Sequence, residues 1–574
     1  MRDIATYTKE ERKQNGIFYT PEFLADYVVQ KLKDYYQGDK NIKLLDPACG
    51  DGILLNAFLK RNSENNRVEI YGIDIDKDAV LNTQIRLQNA TSKIHLKNSD
   101  GLYPSNELKS QKSWNVFRNM NNAESGFNLI ISNPPWGASL EKYNRKKLYE
   151  DFVSSKGQFD IFNLFIEVIL NNLMEGGLYG IILPDSIFSQ EQKLIRKFML
   201  DNSTILSIAR LGEKIFPEIN RACTVIIGKK QIPHKHHKVN CFRLSPDYKR
   251  MIINNEVELI DIDKQFKHDV LQNRFASNRN FEFDIDLRCD DISTYKKIER
   301  NPPLKRLVTS TRGAEISKKG IVCQCPNCKN WMPYPRTKAP SCTHCGTSFD
   351  MNEIHIDNII LSHNGEGNLK LKVGEDLFRY TSFSKAWINT FKRGINYKHI
   401  SIYNGKKILV RKTGVGITAS IDYENSVTNQ VVYILKLNDS FESTISLEFI
   451  LSVLNSRAIT YYLLKKYGEN EWKSHPYLTQ TQLVSLPFPK VDIENKKTAN
   501  TVEKITNIIA NEVKKSVDKN LSIENDILIE REVARLFNLN KEDYKKIFYT
   551  LSSAEQLIPI KRLLNCTVDE IFDR

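Results

Sequence analysis

Cysteine is scarce in this chain, with ten residues among 574, too few for a disulfide-stapled scaffold of that length. No apolar run approaches the ~18 residues of a membrane-spanning helix. The opening stretch, MRDIATYTKEERKQNG, has no apolar core of the kind a signal peptide carries. Acidic residues are outnumbered, 69 Asp plus Glu against 83 Lys plus Arg, giving a formal net charge of +14. That excess favours a polyanionic partner without naming one. There is no internal repeat. With 41% hydrophobic and 26% charged residues, wholesale disorder is also excluded. An intracellular, soluble protein with no membrane partner is the expectation, in about four domains at ~150 residues each, or in two or three larger ones.

Residues 1–39 read as helical, with Phe23, Leu24, Tyr27, Val28 and Leu32 at helical spacing after a turn at Thr20-Pro21. From Ile42 to about Ile227, short apolar strands alternate with helices. The strands are expected at Ile42–Leu45, Ile70–Ile73, Ile94–Lys97, Asn128–Ile131, Leu178–Leu183, Ile205–Ile208 and Cys223–Ile227. That alternation predicts an α/β fold with a doubly wound sheet over residues 1–230. The polar stretch 228–240, with His234, His236 and His237 among lysines, reads as a solvated boundary. Residues 231–300 then serve as a connecting region. Residues 301–490 are β-leaning, predicting a mixed α+β domain interrupted by one helix at about Leu447–Lys466. Residues 491–574 read as a helical tail.

Leu44–Gly52, LLDPACGDG, runs a buried strand into an acid and then a Gly-containing turn before a helix near Ile53. Such a turn sets a ligand at the carboxyl ends of the strands, beside a helix N-terminus. It lacks GxGxxG spacing, and its acid would repel a pyrophosphate while suiting a cationic ligand with an amino group. Asp74, at the next strand end, is placed to take two ribose hydroxyls. Asp100, after the third, is placed to accept from an exocyclic amine. One acid at a strand end is commonly just a turn or cap. Three in series describe a pocket for S-adenosylmethionine better than one for NAD.

The fourth strand, FNLIIS, runs directly into Asn133-Pro134-Pro135-Trp136. Two prolines end the strand sharply and hold the backbone extended. The Asn133 amide oxygen and the Pro134 carbonyl then offer two acceptors to the two hydrogens of a planar exocyclic amine. Binding both frees the nitrogen lone pair from the ring and raises its nucleophilicity. Trp136 offers a flat face for a base. A second such sequence, Asn301-Pro302-Pro303-Leu304, has no preceding strand and no aromatic, and reads as a plain turn.

From Gly16 to about Ile227 the sequence resembles the N6-adenine DNA methyltransferases with TaqI-like motif order, cofactor loop first and specificity region last. Gly16-Ile17-Phe18-Tyr19-Thr20-Pro21 is similar to that family's N-terminal cofactor motif, which implies cofactor contacts from Tyr19 and Thr20. The resemblance implies methionine-end contacts from Asp46 with Ala48 and Gly50, ribose contacts from Asp74 and adenine reading by Asp100. It makes Asn133, Pro134, Pro135 and Trp136 the catalytic tetrad, with Asn133 also beside the cofactor. The last tetrad position is more often Tyr or Phe. LGEKIFPEINRACTVII (211–227) resembles a later motif in which Phe216 lines the far side of a flipped base. By itself Phe216 reads as a core residue. The implied reaction flips adenine out of double-stranded DNA and transfers a methyl group to its N6 without a covalent enzyme intermediate. Cys49 is not placed as a cytosine-attacking nucleophile.

Cys325-Pro326-Asn327-Cys328 and Cys342-Thr343-His344-Cys345 form two CxxC knuckles in the span 323–346. Their spacing is that of a zinc ribbon, with four thiolates for a structural tetrahedral Zn²⁺. Cys323 and His344 lie near but fit the knuckle spacing less well. The basic segments 310–320 and 406–420 look like the family's target-recognition region, with Arg312, Lys318, Lys319, Arg411 and Lys412 as candidate DNA contacts. The family pattern does not usually carry the zinc insertion.

Two other readings keep part of this picture. Methyltransferases of release-factor glutamine or ribosomal RNA guanine share an NPP-aromatic tetrad but are typically short. A DNA-specificity subunit dependent on partners in a defence complex would use the recognition half alone. Residues before Gly16 leave no room for a fused nuclease, so a restriction endonuclease is expected as a separate chain, with the protein in the cytoplasm of a bacterial or archaeal cell.

Overall fold

The computed structural model describes residues 20–38, 40–62, 67–105, 110, 112–216, 221–317, 319–335, 340–350, 354–365, 368–438, 440, 445–468, 477–491, 494–515, 521–553 and 558–573. Tyr19 and Lys318 lie outside the described residues, as does the motif from Gly16 to Tyr19. The chain divides into two compact units, one running to Cys289 and the other beginning at Asp290.

The first unit is built on a nine-stranded sheet of order β3-β2-β1-β4-β5-β7-β6-β8-β9. Its strands are β1 (Asn41–Asp46), β2 (Arg67–Asp74), β3 (Lys93–Asn98), β4 (Phe127–Ser132), β5 (Leu173–Pro184), β6 (Thr204–Gly212), β7 (Cys223–Lys229), β8 (Lys238–Arg243) and β9 (His268–Leu271). β1 to β5 pair in parallel, while β7 lies antiparallel between β5 and β6. Helices α1 (Glu22–Tyr35), α2 (Ile53–Lys60), α3 (Lys77–Arg86) and α4 (Ile161–Asn172) belong to this unit. α4 is buried along almost its whole length. The two faces of β1 and β4 carry apolar side chains because parallel strands are covered on both sides. The expected α/β class and doubly wound sheet are what the chain adopts.

Part of residues 231–300, expected as a connecting region, is built into the sheet. Lys238–Arg243 enters the sheet beside β6 in parallel, and His268–Leu271 pairs with it on the outside. Buried Val239, Cys241, Phe242 and Val270 supply the apolar side. β8 is paired on both sides and only β9 of the two is an edge strand, but both are short and mix polar with apolar residues, which dilutes their pattern in the sequence. The histidine cluster stays mostly exposed, though His237 Nε2 bonds the carbonyl of Ile205 at 2.7 Å.

The second unit contains three sheets. One is antiparallel, of order β10-β20-β17-β18, from β10 (Val308–Arg312), β17 (Lys407–Arg411), β18 (Ala419–Asp422) and β20 (Val432–Leu437). A second joins β14 (Ile360–Leu361), β15 (Leu369–Lys372), β16 (Ala386–Ile388) and β19 (Val427–Thr428). A three-stranded sheet, β12-β11-β13, uses β11 (Ile321–Gln324), β12 (Trp331–Pro333) and β13 (His355–Asn358). The single helix expected at 447–466 is two, α5 (Leu447–Leu454) and α6 (Arg457–Tyr467). Ser456 caps the second by accepting from Ile459 N, so the break is a built N-terminus. The tail carries α7 (Lys496–Lys515), α8 (Ile523–Leu536) and α9 (Lys541–Ser552). The second NPP sequence is more than a turn, since Leu304 N and Phe488 N close a short antiparallel bridge between 302–304 and 486–488. No helix among the described residues is long and apolar enough to cross a membrane.

α6 and α8 are joined by buried charge. Arg457, fully buried, donates to Glu530 Oε2 at 3.0 Å and to Asp526 Oδ2 at 2.9 Å, and its Nε donates to the carbonyl of Leu563 at 2.7 Å. Arg379 pairs with Asp526 from the other side at 2.6 Å. Removing one partner of such a cluster strands the others. Arg457→Ala is expected to destabilise the second unit by about 3–5 kcal/mol, read as a lowered midpoint in its denaturant-unfolding transition. An unchanged midpoint would contradict the assignment.

Candidate active site

Because β3, β2, β1 and β4 are adjacent and parallel, their carboxyl ends stand in a row of roughly 15 Å on one edge of the sheet. A cavity of about 850 Å³ opens there. Asp46, Ala48, Gly50, Asp74, Asp100 and Asn133, expected at separate strand ends, all line it, and Thr20 joins them.

Asp46 ends β1 and is fully buried. Its Oδ1 accepts from Ala48 N at 3.0 Å and Ser132 Oγ at 2.8 Å, while the buried Oδ2 has no hydrogen-bond partner among the described residues. Burial pushes its carboxyl up to about 7, against those two hydrogen bonds and with the charge of Asp74 adding to the rise. Asp74, ending β2, accepts from Gly50 N at 2.8 Å and Asp76 N at 2.9 Å, which fixes the glycine turn to the second strand. A carboxylate has about four lone-pair sites, so two remain for a ligand. Burial raises this carboxyl too. Asp100 accepts from Leu102 N at 2.9 Å. Burial raises the Tyr143 phenol, and the charge of Asp100 and a hydrogen bond to it raise it further.

Among the described residues, six acids line the cavity, namely Asp46, Asp51, Asp74, Asp76, Asp100 and Glu141, against one cation, Lys142. That field disfavours a phosphate-bearing nucleotide and favours a cation. The orphaned Asp46 Oδ2 is the kind of acceptor that an ammonium group satisfies. The donor set therefore fits S-adenosylmethionine.

At the end of β4, Asn133 Nδ2 donates to Thr20 Oγ1 at 3.2 Å, which fixes the plane of its amide. Asn133 and Pro135 line the cavity, whereas Trp136 is buried away from it. The slot expected between Trp136 and Phe216 is closed in this structure. The two buried rings meet edge to face, with centroids 5.3 Å apart and planes at 83°. Each ring packs its edge or face against the other.

Two residues that motif reading passed over hold this turn. Asp160 caps α4 through Ile161 N at 2.7 Å and also accepts from Gly137 N at 2.8 and 3.0 Å. Arg221 donates to the Trp136 carbonyl at 3.3 Å. Gly137 has φ +63°, a left-handed conformation that favours glycine. An Asp directly before an apolar helical run was the available signal for Asp160.

In the second unit, Cys325, Cys328, Cys342 and Cys345 place their sulfurs within 4.8 Å of one another. Two of the separations are 3.8 Å (Cys325–Cys345) and 3.6 Å (Cys328–Cys342). A tetrahedron with Zn–S bonds of about 2.3 Å has edges of about 3.8 Å. The cluster is therefore shaped to hold such an ion, and neither Cys323 nor His344 belongs to it. Of the basic candidates, Arg312 and Lys319 are exposed. Burial lowers the Lys412 ammonium, and the charge of Arg312 lowers it further. Arg411 ends the adjacent β17. Lys319 is not part of this group on the β10–β20–β17 sheet.

Residues 3–295, just over half of the chain, match the model of the N-6 DNA Methylase family. The chain belongs to that family. Residues 369–488 of this methylase-family chain match a TaqI-like C-terminal specificity domain. It is 30% identical over 218 residues to Type II methyltransferase M.BanIII of Aneurinibacillus aneurinilyticus, covering 36% of this chain and 37% of that one. Against Type II methyltransferase M.HindII of Haemophilus influenzae it is 21% identical over 539 residues, covering 86% and 93%. The chain spans about half or less of the length of M.BanIII and several other curated relatives. Among solved structures, the Type IIL restriction-modification enzyme MmeI in complex with DNA aligns with a TM-score of 0.55 at 11% identity, covering 96% of this chain and 81% of that one. At that identity the likeness concerns the fold.

Asp46 makes a pH prediction. Its carboxyl titrates near 7 when folded and near ~3.9 when unfolded. The folded chain thus holds an extra proton between roughly pH 4 and 7, so the stability it confers is fully present below about pH 4, falls from there up to about pH 7 and levels off above, on the order of 4 kcal/mol in full. Thermal melts of the ligand-free protein from pH 5 to 8 should show this loss, and Asp46→Asn should flatten the slope. An identical slope in the variant would contradict the assignment.

Proposed function

We propose that the chain is a site-specific DNA methyltransferase that moves the methyl group of S-adenosylmethionine to N6 of an adenine flipped out of double-stranded DNA, as part of a restriction–modification or defence system. The observation that carries this reading is the opening of Asn133 and Pro135 into the same cavity as Asp46, Asp74 and Asp100. A ligand held by the three acids has one end beside the acceptor turn. The match of residues 369–488 to a specificity domain supports DNA as the substrate.

S-adenosylmethionine, when bound, supplies a methyl group on a sulfonium. Asp46 takes its amino group, Asp74 its ribose hydroxyls and Asp100 its adenine amine, with Thr20, Ala48 and Gly50 around the methionine end. The Asn133 side-chain oxygen and the Pro134 carbonyl accept both hydrogens of the target amine and localise the lone pair on nitrogen. Thr20 keeps the amide in that orientation, and Asp160 and Arg221 keep the turn in place. Trp136 and Phe216 part to admit the base, exchanging their mutual contact for contact with it. Zn²⁺ at the four cysteines is structural, since four sulfurs leave no coordination position open.

Purified chain, S-adenosylmethionine and unmethylated DNA should yield N6-methyladenine on nucleoside digestion and mass spectrometry. Asn133→Ala should lower the rate about 10²–10³-fold while cofactor affinity changes by less than tenfold. N4-methylcytosine would correct the base. Equal methylation by the variant would remove the tetrad from the mechanism, and methylation of RNA or protein alone would overturn the DNA reading.

A further inference from the structure

Beside the cysteine cluster lies a loop, 389–394, whose anchoring exceeds what a surface connection needs. Phe391 N donates to Asn389 Oδ1 at 2.9 Å, and Asn389 N donates to the Ile359 carbonyl at 2.9 Å. Trp331 N donates to the Arg393 carbonyl at 2.8 Å. Lys392 pairs with Asp357 at 2.5 Å and lies 4.1 Å above the Trp331 ring. At Gly394, φ is +103° and a Cβ would stand 2.5 Å from the Trp331 carbonyl and 3.0 Å from His344 Nε2. Only glycine permits so close an approach. Trp331 follows the first knuckle by three residues and His344 sits inside the second, so the loop is backed by the metal-binding ribbon.

That rigid loop presents two side chains outward. Phe391 is 69% exposed, the most exposed phenylalanine among the described residues. Arg393 is exposed and has no ion-pair partner among the described residues. An immobilised aromatic beside an uncommitted guanidinium suits a polyanion with flat faces. The loop falls within the specificity-domain match, and the chain carries a net charge of +14.

We infer that the loop 389–394 is a DNA-contacting finger, with Phe391 stacking on or wedging between bases, Arg393 holding a phosphate, and the four-cysteine ribbon as its support. This rests on DNA being the substrate proposed above. It gives the metal a task at the recognition surface rather than in general stability alone.

The test uses the full chain with its zinc, S-adenosylmethionine and a duplex containing the motif that the wild type methylates. Affinity is read by fluorescence anisotropy at several salt concentrations, alongside zinc content and cofactor affinity. Phe391→Ala should weaken duplex binding about tenfold or more, with zinc and cofactor binding unchanged, and Phe391→Trp should restore most of the loss. Arg393→Ala should lower the salt slope by about one. Cys345→Ser should lose zinc and duplex affinity together while keeping the cofactor. Wild-type duplex affinity in both Phe391→Ala and Arg393→Ala would overturn the inference alone and turn the surface over to a protein partner. A zinc-free chain that binds the duplex normally would overturn the ribbon's supporting role. A wild type that binds no DNA would remove the inference together with the function it rests on.

Discussion

Parallel strands deliver all their carboxyl ends to one edge of a sheet, and any polar side chain at those ends shares a single space. Here that constraint assembles the candidate site from Asp46, Asp74, Asp100 and Asn133, which lie far apart in sequence and on four neighbouring strands. The cost is concentrated at Asp46, whose buried carboxylate has one unsatisfied oxygen and a strongly raised proton affinity. A site that holds such a group without a ligand is preorganised for a cationic one. The surrounding hydrogen bonds serve that end. Ser132 and Ala48 hold Asp46, Gly50 is tied to Asp74, and Thr20 fixes Asn133.

The parts legible in the sequence share a physical basis. All seven expected strands of the first unit are present because each is a short apolar or alternating run, too short for a helix and bounded by turn residues, with β3 only partly buried. The acids were legible because each ends such a run. Asp160 and Arg221 were harder to find, since their partners are the backbone of Gly137 and Trp136 and a backbone partner leaves no pattern. β8 and β9 escaped for a different reason. Both are short and mix polar with apolar residues, and the lysines and histidines around them resemble a linker. At Leu447–Tyr467 helical periodicity runs through the break, and only Ser456 marks the second N-terminus.

The aromatic pair shows where sequence and structure answer different questions. Phe216 read as core by itself and as a base-lining residue by resemblance. In the ligand-free chain it is buried against Trp136. Its burial agrees with the core reading, and the base-lining role belongs to the proposed function. The four cysteines were legible from spacing alone, and their separations match a tetrahedral ion. What spacing could not supply is the neighbouring loop 389–394, whose Phe391 is exposed.

The central claim is that one chain reads a DNA sequence and methylates adenine within it. The most direct measurement is single-molecule sequencing of DNA from a methylation-free host expressing this chain alone, with modified positions mapped across the genome. The account expects N6-methyladenine at nearly every copy of one short motif and essentially nowhere else. Absence of modified adenine from DNA of cells holding folded, cofactor-binding protein, or modification without any sequence preference, would contradict it.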